Sequence, residues 1–158
     1  MKDSFAIAEA LRDFGVEFVI IGGHAVIRHG VSRTTEDLDV VYDKTPDNVD
    51  RLFEAVRSVG GVIITNDIDP VTRLEIDRPV TRSDLTGWLA LIATDHGFFD
   101  AFSYVPGVDE MTFDQLFQDS VLLDGFHFAS IDALRKMKAA AGRPRDLEDL
   151  KALADDDG

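Results

Sequence analysis

Polar and apolar positions alternate along this chain in two distinct rhythms. Over residues 3–14 the apolar side chains Phe5, Ala8, Leu11 and Phe14 recur three apart, which predicts an amphipathic helix with Gly15 ready to cap its end. Residues 17–21 (EFVII) form a short apolar run that stops at Gly22-Gly23, the pattern of a buried strand meeting a tight turn. A short helix from His24 to His29, ended by Gly30, and a strand over 37–42 (DLDVVY) follow. Thr45-Pro46 reads as an N-cap with proline at the first helical position, opening a helix to about Ser58. Gly60-Gly61 breaks it before a strand over 62–65. Residues 72–77 (TRLEID) and 88–94 (WLALIAT) both read as strands, with Pro79 and residues 83–87 between them. The aromatic stretch 98–105 predicts another strand, ended by Pro106-Gly107.

Thr112 caps a short helix. The run SVLLDGFHFAS places Asp124-Gly125 between two apolar arms, a hairpin signal. Ser130 caps a helix to about Ala141, and a last helix runs from about Pro144 to Ala154. Strands and helices interleave without repeats or linkers, so the expectation is one α+β domain over 1–158. Its core would span about 3–128 as a mixed sheet with helices packed on it, followed by a C-terminal helical segment over about 130–154.

Composition narrows the chemistry. The chain has 158 residues, 45% of them hydrophobic, enough for a real core. Thirty acids against sixteen bases give a formal charge of −14, which argues against coating nucleic acid by charge alone. Without cysteine there is no disulfide framework, no Cys-ligated metal and no thiol nucleophile. No apolar run approaches a membrane span and no cleavage signature follows the N-terminus, so a cytoplasmic protein without membrane partners is expected. The four histidines show no zinc-like spacing, and no nucleophile-elbow motif is present.

Acid-x-acid pairs occur five times (37/39, 67/69, 75/77, 146/148 and 155/157), so the pattern alone is weak. The first differs in context. On a strand, Asp37 and Asp39 would project side by side while Leu38 and Val40 enter the core. Parallel carboxylates on a rigid strand repel unless a cation lies between them, and Mg²⁺ suits such oxygen donors. Upstream, Gly22-Gly23 can let backbone approach a phosphate at a helix start, or can form a plain turn. Residues 133–145 carry five bases and no acid, either a solvated helix end or an anion-binding surface. Lys136 and Lys138 cannot share a helix face, so at most one of them faces a site.

The combination GGHAVIRHGVSRTTEDLDV, with thirteen residues between Gly23 and Asp37, resembles the signature of the nucleotidyltransferase superfamily, whose fold is that of DNA polymerase β. Ala25, His29, Gly30, Arg33 and Thr35, and the ending LLDGFHFASIDALRKMKAAAGRPRDLEDLKAL, are similar to the bacterial AbiEii-type and DUF6036-type nucleotidyltransferases. The aminoglycoside nucleotidyltransferases are similar more distantly. The resemblance covers about 17–42 and 97–153.

It implies a minimal polymerase β-like fold and Mg²⁺-dependent transfer of a nucleoside monophosphate from an NTP to an RNA, protein or small-molecule acceptor. Two Mg²⁺ ions would be held by Asp37, Asp39 and a third carboxylate from a neighbouring strand. Asp100 in FFDAF matches that position, with Glu75 and Asp77 as alternatives. Gly22, Gly23, Arg33, Lys138 and Arg145 would bind the nucleotide. His24 stands either to touch it or to make a helix-start hydrogen bond. A toxin–antitoxin-type role with a cognate partner protein is the biological expectation; the alternative is a non-catalytic nucleotide-binding or regulatory partner module on the same fold.

Overall fold

The computed structural model describes residues 3–65 and 67–155. Helix α1 (Phe5–Asp13) buries Ile7, Ala8 and Leu11 and ends before Phe14, which stands in water; Gly15 takes the left-handed conformation that closes it. Strand β1 (Phe18–Ile21) runs into α2 (Gly22–Arg28), and β2 (Leu38–Tyr42) returns antiparallel to β1. Helix α3 (Pro46–Ser58) starts at the expected proline and turns Val49, Leu52 and Val56 inward. Then come β3 (Val62–Ile63), β4 (Arg78–Pro79), a 3₁₀ turn over Arg82–Thr86, β5 (Leu89–Thr94) and β6 (Gly97–Phe102). Helix α4 (Phe113–Gln118), the hairpin β7 (Val121–Leu123) and β8 (Phe126–Phe128), and helices α5 (Ile131–Ala141) and α6 (Pro144–Asp155) complete the order. The expected α+β class with C-terminal helices is the observed one.

All eight strands form one mixed sheet in the order β4-β3-β5-β6-β2-β1-β8-β7. The central pair β2–β6 is parallel, as is β1–β8, and the remaining pairs are antiparallel. Strand alternation sends Ile20, Leu38, Val40, Phe99, Ala101 and Ile92 to one face, where all are fully buried. The opposite face carries Ile21, Asp39 and Asp100, and α5 stands over part of it.

Two stretches depart from expectation. Residues 72–77 do not form a strand. Asp69 accepts hydrogen bonds from the amides of Val71 (2.8 Å) and Thr72 (3.0 Å), and Arg73 takes a left-handed φ of 63°. This Asx turn folds the segment into the tip of a hairpin arm, with a single bridge between Ile68 and Glu75. Residues 82–86 form a 3₁₀ turn rather than a loop, through a capping box between Thr81 and Asp84.

One buried polar side chain ties α3 to the sheet. Asn48, fully buried, accepts from the Glu17 amide (2.7 Å) and donates to the carbonyls of Glu17 (3.0 Å) and Asp43 (2.7 Å). Asn48→Ala should therefore lower the stability measured by urea unfolding by about 2–3 kcal/mol. Replacing its exposed neighbour, Asp47→Ala, should cost a few tenths of a kcal/mol, the helix-dipole contribution alone.

Candidate functional site

Parallel pairing of β2 with β6 sets Asp39 directly opposite Asp100, and antiparallel pairing with β1 sets Ile21 on its other side. The two carboxylates hydrogen-bond to each other. Burial first, then the charge of Asp100, their shared hydrogen bond and the charge of Asp37 push Asp39 up to about 7; Lys138 offsets part of this. Asp100 is raised by burial and by Asp37, while accepting a hydrogen bond from Asp39 pulls it the other way. Ionisation of Asp39 is thus held back, because two adjacent half-buried carboxylates cannot both ionise cheaply.

Asp37 lies one residue before β2 and is exposed, adding its field from the cleft wall. Among the described residues no three His, Cys, Asp or Glu side chains gather into a ready-made metal-ligand set, so the three acids meet as a contacting pair with a neighbour. Asp39 Oδ1 is buried with no hydrogen-bond partner. A buried carboxylate oxygen without a partner, among further oxygen donors, fits a hard divalent cation such as Mg²⁺.

Helix α2 opens at Gly22 itself, two residues earlier than the sequence predicts, because Gly22 at φ 67° turns the chain from strand into helix in one step. Both glycines clear space for side chains of the cleft. A Cβ on Gly22 would collide with the Asp39 carboxylate, and one on Gly23 would lie 2.5 Å from Thr35 Oγ1 and 3.3 Å from an Arg33 terminal nitrogen.

Across the cleft stands a basic wall held by two buried acids, Asp146, which the sequence offers only as one of five acid-x-acid pairs, and Asp149, which it does not single out. Lys138, 8% exposed, reaches Asp146 at 3.2 Å and Asp149 at 3.0 Å. Arg33 Nη1 pairs with Asp149 at 2.6 Å, and Arg143 Nε with Asp146 at 2.7 Å. Asp146 and Asp149 lie on the first two turns of α6, three apart on one face, so they face α5 together; that spacing was the available signal. Lys138 borders the cleft, but its ammonium is already engaged by two carboxylates. Lys136 is exposed on the other side of α5 and pairs with Asp132.

The resulting cavity of about 390 Å³ brings together Gly23, Arg33, Asp37, Asp39, Asp100, Lys138 and Arg145, with Thr34, Thr35, Glu36, Arg143 and Asp146. A second cavity of about 350 Å³ opens beside Asp39, with an apolar lining that includes Phe102, Leu134 and Met137.

Three expected residues are elsewhere. His24 takes the helix-start option in another form: its Nε2 lies 2.8 Å from Ser4 Oγ and its ring packs on Phe5, away from the cleft. Glu75 and Asp77 are exposed at the β4 end of the sheet, separated from β6 by β3 and β5, so neither joins Asp39. His29 anchors its loop by donating to the Ala129 carbonyl at 2.8 Å.

Two outcomes follow from these electrostatics. Asp39 binds its proton more tightly folded than unfolded (about 7 against 3.8), so folding takes up a proton between those values and stability falls as pH rises through them. Asp39→Asn removes that loss: relative to wild type, its urea-unfolding free energy should improve by on the order of 1–3 kcal/mol between pH 4 and pH 8. Lys138→Met leaves Asp146 and Asp149 short of a counter-charge and should cost on the order of 3 kcal/mol in the same assay at pH 7.

No protein family and no curated protein matches the chain by sequence. Solved structures do match its fold. ANT(2'')-Ia in complex with adenylyl-2''-tobramycin superimposes with a TM-score of 0.57 at 17% identity, over 96% of this chain and 86% of that one. The solution structure of the antibiotic-resistance factor ANT(2'')-Ia gives 0.59 at 16% identity, over 96% and 80%. JHP933 from Helicobacter pylori gives 0.51 at 19%, over 96% and 65%. The chain has the mixed α+β fold of the nucleotidyltransferases, the polymerase β-like arrangement.

Proposed function

We propose that this chain is a Mg²⁺-dependent nucleotidyltransferase that moves a nucleoside monophosphate from an NTP to an acceptor hydroxyl, releasing pyrophosphate. The observation that carries the reading is the in-register pair Asp39–Asp100, with an orphaned buried oxygen on Asp39, facing a basic wall across one polar cleft. Mg²⁺ held by Asp39 and Asp100, with Asp37 beside them, would neutralise the pair and polarise the phosphoryl oxygens.

The chain's own residues supply the rest. Arg143 and Arg145, at the exposed rim of the basic wall, and Arg33 deeper within it are placed to orient the triphosphate. Gly22 and Gly23 keep the floor of the cleft free of side chains, so that Asp39 and Thr35 hold their positions. Lys138 acts through Asp146 and Asp149, which fix Arg143 and Arg33 in turn. Asp100, raised by burial and by Asp37, would take the proton of the acceptor hydroxyl. The structural neighbour bound to adenylyl-2''-tobramycin supports adenylyl transfer as chemistry this fold accommodates.

Thermal unfolding with ATP, GTP, CTP and UTP, each with and without Mg²⁺, tests the reading. At a hundred times its Kd the preferred nucleotide should add about 2.7 kcal/mol of stability, and only with Mg²⁺. Asp39→Asn and Asp100→Asn should abolish the Mg²⁺-dependent gain and slow transfer of label from the NTP by about 100-fold or more. If no nucleotide shifts the transition under any condition, the catalytic reading falls and the non-catalytic module takes its place.

A further inference from the structure

The large apolar side chains left in water are concentrated in one part of this molecule. Among the described residues, eight of the twelve fall between positions 68 and 98. On β5 and β6 the face that carries Asp100 is uncovered: Leu89 is 41% exposed, Leu91 42% and Phe98 51%. Register makes them one surface, since Leu91 pairs with Asp100, Leu89 with Phe102 and Ala93 with Phe98. Trp88, 69% exposed, stands at its end, packed edge-on to Tyr104 with the Lys44 ammonium 4.8 Å above its ring. Helix α5 faces this side of the sheet over Ile21, Asp39 and Phe102, which line one cavity with Leu134 and Met137.

Both borders of the patch are acidic. In sheet order the hairpin arm of β3 and β4 lies on one side, where Asp67, Asp69, Glu75 and Asp77 outnumber Arg73 and Arg78, the latter already paired with Asp84. On the other side are Asp37, Asp39 and Asp100. The arm also exposes Val71 at 88% and Leu74 at 68%.

We propose that this half of the sheet is the docking surface for a basic polypeptide that inserts apolar side chains between the two acidic borders. Leu89, Leu91 and Phe98 lie on an open pleated face rather than in a walled pocket, which suits a macromolecular surface more than a small ligand. Polyanionic RNA is disfavoured by the acids of the hairpin arm and by the chain's formal charge of −14. A second copy would bring the same acidic borders and another fourteen negative charges against the first. Lysine and arginine side chains flanking apolar anchors complement the arrangement, and the Lys44–Trp88 contact is the cation–π geometry that such a partner would repeat. The surface shares Asp100 with the catalytic reading, and its test is run without nucleotide or Mg²⁺, so the two readings fail separately.

Trp88 is the chain's single tryptophan and adjoins the patch through Tyr104, which packs on Phe102, so its emission reports on the edge of the patch. The full chain is titrated with a short amphipathic Leu/Lys peptide without aromatic residues, and in parallel with a Leu/Glu peptide of the same pattern and with oligouridylate RNA. The expected result is a saturable blue shift of Trp88 with the Leu/Lys peptide alone, weakening as salt is raised. Leu91→Ser and Phe98→Ser should each weaken binding at least about tenfold. Leu122→Ser, at a more exposed position on β7 at the far edge of the sheet, should leave it unchanged. Circular dichroism and urea midpoints confirm that each variant is folded. The proposal is overturned if binding survives both patch substitutions, or if the Leu/Glu peptide or the RNA shifts Trp88 equally. It is also overturned if sedimentation shows the chain pairing with itself through a contact that Leu91→Ser abolishes.

Discussion

Two carboxylates on neighbouring parallel strands set the terms for the rest of this molecule. Asp39 and Asp100 are held side by side by the backbone ladder, which neither side chain can escape by rotating. Burial makes ionising both of them expensive, so they share a proton and leave Asp39 Oδ1 without a partner. A group in that state is poised for positive charge, and every feature around it answers that need or makes room for it. Gly22 is the clearest case, since any side chain there would occupy the space of the Asp39 carboxylate.

The opposite wall solves the converse problem. Basic side chains gathered to receive phosphate would repel one another and fray from the surface. Here Asp146, 1% exposed, and Asp149, 4% exposed, are buried beneath them as counter-charges. Arg33 from the loop before β2, Lys138 from α5 and Arg143 from the turn into α6 are thereby joined through two carboxylates on one helix. The C-terminal helices are fastened to the loop that precedes the acids, so the two walls of the cleft hold a defined separation. A buried charge network of this kind contributes little net stability, but losing one member is costly. Its value lies in geometry.

The sheet is used asymmetrically. The β1–β2 side of the acid-bearing face is roofed by α5, whereas the β5 side meets water with leucines and a phenylalanine outward. The carboxylate pair sits on the boundary between these halves, reached from the roofed side through a polar cleft and an apolar cavity. A ligand held under the roof and a partner laid on the open half would meet at Asp100.

Local chemistry determined most of the elements. Hydrophobic period, proline at the first turn of α3, Asp124-Gly125 at a hairpin where both residues take positive φ, and the caps Thr112 and Ser130 all act within a few residues, so each was readable before any folding. The glycine pair and the Asp37/Asp39 spacing were readable for the same reason, whereas Asp100 was named from the family resemblance, with Glu75 and Asp77 left as alternatives. What failed locally was turn chemistry: Asp69 outcompeted the strand pattern of 72–77, and the Thr81–Asp84 box went unnoticed. Everything involving distant pairing was decided only by tertiary structure. No spacing along the chain reveals that β6 lies beside β2 in register, that Arg33 meets Asp149 across 116 positions, or that His24 turns to Ser4 rather than to the cleft. Nor does a strand with alternating apolar residues announce which of its faces will be covered. These are facts about which surfaces meet, and they arise when the whole chain closes on one core, where each burial depends on all the others.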